Sequence, residues 1–177
     1  MGRSPEDPVA EGIAYWRAQR PDLDTSGTEV VARVLRLATI FRDGVGRALA
    51  ARALGIGEYS VLAILRSRGG ASGELPPKVL ADATHVTSGG IANLVKRLER
   101  AGLVDRRPDP ADGRGTLVRL TPGGRELVDA AVVDVAEAER KLVAALSEPE
   151  RCALAAALSS ALRAVEPPTT FRLPESR

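Results

Sequence analysis

The sequence predicts a mainly α-helical fold with one small β-hairpin. Apolar residues recur at spacings of three and four along most of the chain, which is typical of amphipathic helices. This periodicity is interrupted between residues 103 and 120, where two short strand-like runs flank a turn-rich segment. Hydrophobic residues make up 44% of the chain and aromatic residues only 3%, so aliphatic side chains must build the core.

Residues 8–54 are predicted to form the N-terminal helices of a dimerisation region. We expect a first helix over Pro8–Gln19, in which Ile13 and Trp16 share one face, and a long second helix near Thr28–Leu54. The second helix carries an apolar stripe of Val30, Val34, Leu37, Phe41, Val45 and Leu49. A single chain of this size cannot bury the stripes of such long helices, so a second copy is expected to cover them.

Residues 55–120 are predicted to contain a helix-turn-helix. Helices are expected over Glu58–Arg68, over about Pro76–Ala83, and after Thr87, which has the residue type of an N-cap. The third of these helices has apolar positions at Ile91, Leu94, Val95 and Leu98. A short helix, a tight turn and a second helix have the spacing of the unit that places its second helix in the major groove of DNA.

A β-hairpin is expected directly after this unit, with strands at Leu103–Arg106 and Thr116–Leu120 and a tip at Pro108–Gly115. A basic hairpin in this position makes a winged helix. Its tip can place an arginine in a narrow minor groove, where the negative potential is enhanced. Arg114 has that placement, and Asp112 is positioned to orient its guanidinium group.

Residues 121–166 are predicted to form two C-terminal dimerisation helices. Thr121-Pro122 is a strong helix start, and Ser147 with Glu150 has the spacing of a capping box. The last helix carries apolar positions at Leu154, Leu158, Leu162 and Val165. Pro167-Pro168 ends it, so residues 167–177 are expected to form a flexible tail.

The charges are unevenly distributed although the net charge of the chain is only +2. Residues 87–119 hold seven basic and four acidic residues, a net charge of +3, whereas residues 125–166 hold five basic and eight acidic residues, a net charge of −3. A basic middle and an acidic end indicate two surfaces with different partners, although two solvated faces of a globular protein would fit the charges equally well.

Composition excludes several function classes. One cysteine and one histidine are too few for a structural zinc site, and no metal or other cofactor is expected. No dinucleotide-binding or P-loop signature is present and a catalytic triad would depend on His85 alone, so we do not expect an enzyme. The chain has no apolar run long enough to span a membrane and no secretory signal, so we expect a cytoplasmic protein.

The predicted recognition helix supplies most of the candidate DNA contacts. Its first turn offers two hydroxyls, exposed backbone N–H groups and two glycines that allow a close approach, and its polar side offers groups that pair with base edges or phosphates. These residues are Thr87, Ser88, Gly89, Gly90, Asn93, Lys96, Arg97 and Arg100. Such patterns also arise by chance, and the Asp112–Arg114 pair alone fits a surface salt bridge worth at most about 1 kcal/mol. The adjoining hairpin favours the DNA-binding interpretation.

Three lone residues have simpler explanations. The helical spacing between Trp16 and Ile13 favours core packing for the tryptophan over stacking on a ligand. His85 is expected to face solvent or to cap a helix in the turn, and a pH-sensing role is the lesser alternative. Cys152 is expected to be a small buried apolar residue in an alanine-rich helix, which argues against a thiol switch.

Residues 87–104, from the Thr-Ser-Gly-Gly start to Gly102-Leu103-Val104, resemble the recognition helix and first wing strand of MarR-family regulators. Residues 112–124 resemble the wing motif of that family, an Asp-x-Arg tip that runs into a Leu-Thr helix start. The resemblance extends over about residues 10–165. It implies a homodimer whose N- and C-terminal helices interlock, and it implies repression of transcription from a palindromic operator.

The extra first helix with Trp16 resembles the HucR/PecS/TamR-like branch of the family, which contains urate- and aconitate-responsive regulators. In the urate responders that Trp acts with an Asp of the third helix and two Arg near the recognition helix and wing, and Arg106 or Arg107 matches one of them. The Asp is replaced by Ser60 and the other Arg by Leu94, which argues against urate. The resemblance therefore implies an anionic or aromatic effector of another kind.

The sequence thus predicts a ligand-responsive, DNA-binding homodimeric repressor. A ligand-independent architectural or partner-binding winged-helix protein is the alternative from another class. Thermal shifts with a panel of metabolites would separate the two, because a ligand that binds only the native state raises the melting temperature.

Overall fold

The computed structural model describes residues 7–166, except for the side chain of Arg114 and the exposure of Gly113 in the hairpin. The predicted tail, residues 167–177, therefore lies outside the described residues. Seven helices and three strands follow one another in these described residues: α1 Pro8–Gln19, α2 Ser26–Ala50, α3 Ile56–Arg68, β1 Glu74–Leu75, α4 Pro77–Thr84, α5 Ser88–Arg100, β2 Val104–Asp109, β3 Asp112–Leu120, α6 Pro122–Leu142 and α7 Glu148–Val165. The predicted mainly helical fold with a small β-wing is confirmed.

Contacts divide the chain into two units between Gly44 and Val45, a point that lies inside α2. In the first unit α1 begins at an N-cap, Asp7, whose side chain accepts hydrogen bonds from two backbone N–H groups. Arg33 of α2 donates to the same carboxylate at 2.9 Å, and this bond lowers the pKa of Asp7 below its ordinary value. The two helices of the unit are thereby joined at this end of α1.

The second unit has one aliphatic core, built from α3, α4, α5, the sheet and α6. Its fully buried side chains include Leu62, Leu65, Leu80, Ile91, Leu98, Val118 and Val128. Two ion pairs hold α6 to the preceding elements: Arg66 of α3 donates to Asp129 at 2.7 Å, and Arg52 pairs with Asp134. The Arg52 hydrogen bond lowers the pKa of Asp134 below its ordinary value.

Several predicted element boundaries were wrong. The second helix begins at Ser26 rather than Thr28 and ends at Ala50 rather than Leu54, because Ala53 has φ of 54° and the Leu54 N–H turns back to the Leu49 carbonyl. The third helix begins at Ile56, two residues before the predicted start, after Gly55 in the N-cap position. The short fourth helix covers Pro77–Thr84 instead of Pro76–Ala83.

The wing is longer than the sequence predicted. Strands β2 and β3 pair antiparallel from Val104 opposite Leu120 to Pro108 opposite Thr116, and again at Asp109 opposite Asp112. An irregularity between these two pairs gives residues 113–115 no partner in the register, although they belong to β3, and residues 110–111 form the turn. A third strand, β1, was missed: Glu74 and Leu75 pair with Arg119 and Val118 at the other edge of β3, which gives the order β1-β3-β2.

Apolar residues of α2 and α7 remain exposed in the single chain. They include Val30, Val34 and Leu37 of the predicted stripe on α2, and Leu154, Leu158, Leu162 and Val165 on α7. Two other predictions were wrong for the single chain. Cys152 is exposed, as is every other residue of α7. Trp16 is 54% exposed, and its ring forms a T-shaped pair with Tyr15 at a centroid distance of 5.8 Å.

The described residues contain no helix that is both long and apolar enough to cross a membrane. Within the same residues, no group of three or more His, Cys, Asp or Glu side chains is arranged to hold a metal ion.

Candidate nucleic-acid interface

The turn between α4 and α5 is set by two capping residues. His85 adopts the left-handed conformation, with φ of 53°, and its N–H donates to the Ala81 carbonyl as the C-cap of α4. Thr87 is the N-cap of α5, as predicted, and its hydroxyl oxygen accepts from the Gly90 N–H at 3.2 Å. The His85 side chain is exposed, and its backbone caps α4, in agreement with the prediction that this residue faces solvent or caps a helix in the turn.

The two glycines that follow Thr87 differ in their surroundings. A Cβ atom at Gly89 would meet nothing within 4 Å, whereas one at Gly90 would lie 2.5 Å from Cγ1 of Val86. Gly90 therefore lets α5 pack against the turn, and Gly89 leaves the outer surface of the first turn open. The sequence assigned both glycines to a close approach by DNA, and only the structure separates them.

Helix α5 has one apolar face and one polar face. Ile91, Leu94, Val95 and Leu98 are buried, whereas Ser88, Asn93, Lys96, Arg97 and Arg100 are exposed. The structure thus brings the predicted contact residues of this helix together on one solvent-facing side. Among the contacts of the described residues, none is found for the side chains of Asn93, Lys96 or Arg100 (the latter two being cationic).

Arg97 differs from its neighbours because it has an acidic partner. Its Nε donates to Oε1 of Glu58, in the first turn of α3, at 2.8 Å. Oε2 of the same carboxylate accepts from the Gly55 N–H at 2.9 Å, which caps α3. Sequence reasoning missed Glu58, because a capping-box glutamate gives no signal of a partner 39 residues away.

The strands of the wing carry ion pairs on both faces of the sheet. Arg119 of β3 donates two hydrogen bonds to Asp105 of β2, at 3.0 and 2.7 Å, and these bonds lower the pKa of Asp105. Arg107 lies on the same face and pairs with Glu74 of β1. Arg106 points the opposite way and lies 3.4 Å from Glu99 of α5. The first pair lies within the wing, and the other two join the wing to β1 and to α5.

The tip of the wing is only partly described. Arg114 lies within β3, but its side chain is outside the described residues, so its predicted orientation by Asp112 stays a prediction. At the turn itself, the Asp109 carboxylate accepts from the Ala111 N–H at 2.9 Å. The backbone of β3 thus places Arg114 two residues after the start of the strand.

The base of the wing is locked to the start of α6. The Thr121 hydroxyl donates to the Gly102 carbonyl at 2.8 Å and accepts from the Gly124 N–H at 3.0 Å. The Thr121 N–H donates to the Leu103 carbonyl at 3.1 Å. These bonds join the segment between α5 and β2 to the N-cap of α6, so the recognition helix and the wing form one connected element.

The predicted ligand-binding residues lie in different surroundings. In the first unit Trp16 lines a cavity of about 480 Å³ between α1, the following loop and α2, whose other walls include Ile13, Leu23, Thr25 and Thr28. In the second unit the Ser60 hydroxyl donates to the Ile56 carbonyl at 2.9 Å. Arg106 and Arg107 each have the carboxylate partner described above. The sequence did not predict the loop residues that line this cavity, because loop residues show no periodicity.

Comparisons with known proteins agree with this geometry. A sequence model of the MarR family matches residues 54–115. The HTH-type transcriptional regulator PecS of Dickeya dadantii is 29% identical over 150 residues, which is 85% of this chain and 90% of PecS. The structure of Sco3205, a MarR family transcriptional regulator from Streptomyces coelicolor in complex with DNA, has a TM-score of 0.71 at 25% identity and covers 86% of this chain and 97% of Sco3205.

A further solved structure concerns regulation by a small molecule. It describes the mechanism for regulation of DNA binding of Bordetella bronchiseptica BpsR by 6-hydroxynicotinic acid. Its TM-score is 0.67 at 25% identity, and it covers 75% of this chain and 98% of BpsR. The chain is therefore similar along most of its length to proteins that bind DNA.

Proposed function

Because the chain belongs to the MarR family and is a DNA-binding transcriptional regulator rather than an enzyme, we propose that it acts as a homodimeric, ligand-responsive repressor. The observation that carries the proposal is the solvent-facing side of α5, where the exposed polar and basic residues gather opposite a buried apolar face. A major groove of B-DNA admits such a helix. Two copies related by a two-fold axis would read half-sites about 34 Å apart, which makes the operator palindromic.

The residues of this interface have different roles in the proposal. The open first turn of α5, with Thr87, Ser88 and Gly89, donates backbone N–H groups to a phosphate. Asn93, Lys96 and Arg97 reach base edges or neighbouring phosphates. Arg114 at the wing enters the adjacent minor groove.

The experiment for the interface uses DNA that the protein itself selects. Wild-type protein would be given a pool of random-sequence duplexes, and the enriched duplex would be used in mobility-shift assays. Arg114→Ala is expected to weaken its binding by roughly 1–3 kcal/mol with the dimer intact. Unchanged affinity would contradict the wing assignment, and failure of the wild-type protein to enrich any sequence would contradict the whole proposal.

The homodimer is supported by the uncovered apolar residues of α2 and α7, since exposed apolar surface of this extent marks an interaction site. Leu158→Glu on α7 places a charge in the apolar row and is expected to shift the protein toward the monomer in light scattering after gel filtration. Ser160→Glu places the same charge on another side of the same helix and serves as the matched control. Equal effects of both substitutions would refute α7 as part of the interface.

A small anionic or aromatic effector is proposed because a cavity of suitable size lies beside Trp16 and because BpsR is regulated by such a compound. Melting temperatures would be measured with a panel of aromatic carboxylates that includes 6-hydroxynicotinic acid. A ligand that binds the native state raises the melting temperature, and Trp16→Ala is expected to abolish this rise while Tyr15→Ala preserves it. No rise with any compound would favour the ligand-independent alternative. As a regulator of chromosomal genes, the protein is proposed to act in the cytoplasm.

A further inference from the structure

Glu58 is placed to act on the DNA-binding surface although it lies on another helix. Its side chain is 19% exposed, and its two oxygens face different partners: Oε2 accepts from the Gly55 N–H and Oε1 accepts from Nε of Arg97. The first bond fixes the carboxylate against the start of α3. The second bond then fixes a guanidinium group on the exposed side of α5.

The bond through Nε leaves the outer end of Arg97 available. The side chain is 59% exposed, and no contact of its two terminal nitrogens is found among the described residues. Each terminal nitrogen carries two N–H donors, which can bind the paired acceptors of a guanine edge or a phosphate. Glu58 therefore restrains Arg97 without occupying the part of the group that would meet DNA.

Lys96 and Arg100 provide the contrast on the same helix. Both are exposed cations without a carboxylate partner among the described residues, so they attract any phosphate that comes near. Arg97 has its charge partly neutralised by Glu58 and its direction fixed. Such a cation gains less binding free energy from nonspecific attraction to phosphates. It also loses less side-chain entropy when it binds a correctly placed acceptor.

We propose that Glu58 is a positioning residue that raises the specificity of DNA binding by orienting and partly neutralising Arg97. This proposal rests on the proposed function, in which α5 enters the major groove. Glu58 itself touches no DNA. Its effect is a lower affinity for unrelated DNA at an undiminished affinity for the selected sequence.

The test compares the affinity for the selected duplex with that for a duplex of the same length and shuffled sequence, by fluorescence anisotropy at several salt concentrations. Glu58→Gln is expected to lower this affinity ratio by roughly fivefold, chiefly through tighter binding of the shuffled duplex. In an Arg97→Ala background the same substitution is expected to leave the ratio unchanged, because the group it acts through is gone. The glutamine oxygen can still accept from the Gly55 N–H, so α3 should keep its cap.

Two further variants separate positioning from charge and from folding. Glu99→Gln removes the same charge from α5 itself and leaves the Glu58–Arg97 bond, so it should tighten both complexes equally and preserve the ratio. Arg97→Lys keeps the cation and the cap of α3 but removes the Nε–H donor, so it should lower the ratio as Glu58→Gln does.

Equal losses of specificity in Glu58→Gln and Glu99→Gln would overturn the proposal, as would a loss that persists in the Arg97→Ala background. An unchanged ratio in Arg97→Lys would also overturn it, and this result does not depend on whether Glu58→Gln folds. Failure of the proposed function looks different, since the wild-type protein would then show no preference for any duplex.

Discussion

Gly124 of α6 offers the sharpest test of how the wing is anchored. A Cβ atom at this position would lie 2.9 Å from the carbonyl carbon of Leu103 and closer still to its oxygen. That carbonyl cannot easily retreat, because its oxygen accepts from the Thr121 N–H and the Leu103 N–H donates to the Leu98 carbonyl at 2.9 Å. Gly124→Ala must therefore separate α6 from the base of the wing.

The cost follows from the bonds that this separation breaks. Leaving a buried hydrogen-bonding group without a partner costs about 1–3 kcal/mol, and at least the Thr121 N–H and its acceptor are affected. With the accompanying strain we expect a loss of roughly 3–5 kcal/mol, against which the better helix propensity of alanine returns only about 1 kcal/mol. Gly124→Ala should thus destabilise the protein by about 2–4 kcal/mol.

Gly123 provides a matched control in the same helical turn. Its added Cβ would meet only the Thr121 hydroxyl, at 4.0 Å, so Gly123→Ala should be neutral or stabilising by up to about 1 kcal/mol. Both variants would be unfolded in urea at one protein concentration, with helix content followed by circular dichroism. Unfolding free energies of the two variants that agree within about 0.5 kcal/mol would refute the steric argument.

Two other predictions follow from the structure. Gly90→Ala should lower the unfolding free energy, because the added Cβ would clash with Val86. Gly89→Ala should leave stability unchanged but weaken DNA binding, because the added methyl group would cover the open first turn of α5. Loss of stability in both variants would contradict this distinction and show that the whole first turn is packed. The Arg52 hydrogen bond lowers the pKa of Asp134, so this pair stabilises the fold above the ordinary carboxyl pKa of 3.8 and ceases to do so as the pH falls through the lower folded-state value. The urea midpoint of Asp134→Asn should accordingly fall less on acidification than that of the wild type, and identical pH profiles would contradict a role for the pair.

Much of the fold is predictable because its signals are local. Thr87 and Thr121 cap helices as their residue types indicate, and each hydroxyl accepts from the N–H three residues on. The buried face of α5 repeats at helical spacing, so its polar face could be identified before its surroundings were known. The end of α2 was less predictable, because apolar periodicity continued past Ala50 while Ala53 took a left-handed conformation.

Strand β1 shows why other features escaped prediction. Glu74 and Leu75 form a strand of only two residues, which is too short to show a periodic pattern. They become a strand because they pair with the edge of β3 that β2 leaves open. The hairpin tip was predicted too long for a related reason. Its turn-forming residue types suggested a loop, and the pairing of Pro108 with Thr116 and of Asp109 with Asp112 extended the strands into that segment despite the local preference.

The sequence by itself determined the order of helices, the helix-turn-helix with its wing and the residues on the exposed side of α5, because caps, turns and periodicity are encoded within a few neighbouring positions. Only the tertiary structure decided that Gly90 and Gly124 are sterically required where Gly89 and Gly123 are not, and that Arg97 alone of its helix face is held by Glu58 among the described residues. These outcomes depend on atoms from segments far apart in the chain, whose approach is fixed by packing of the common core.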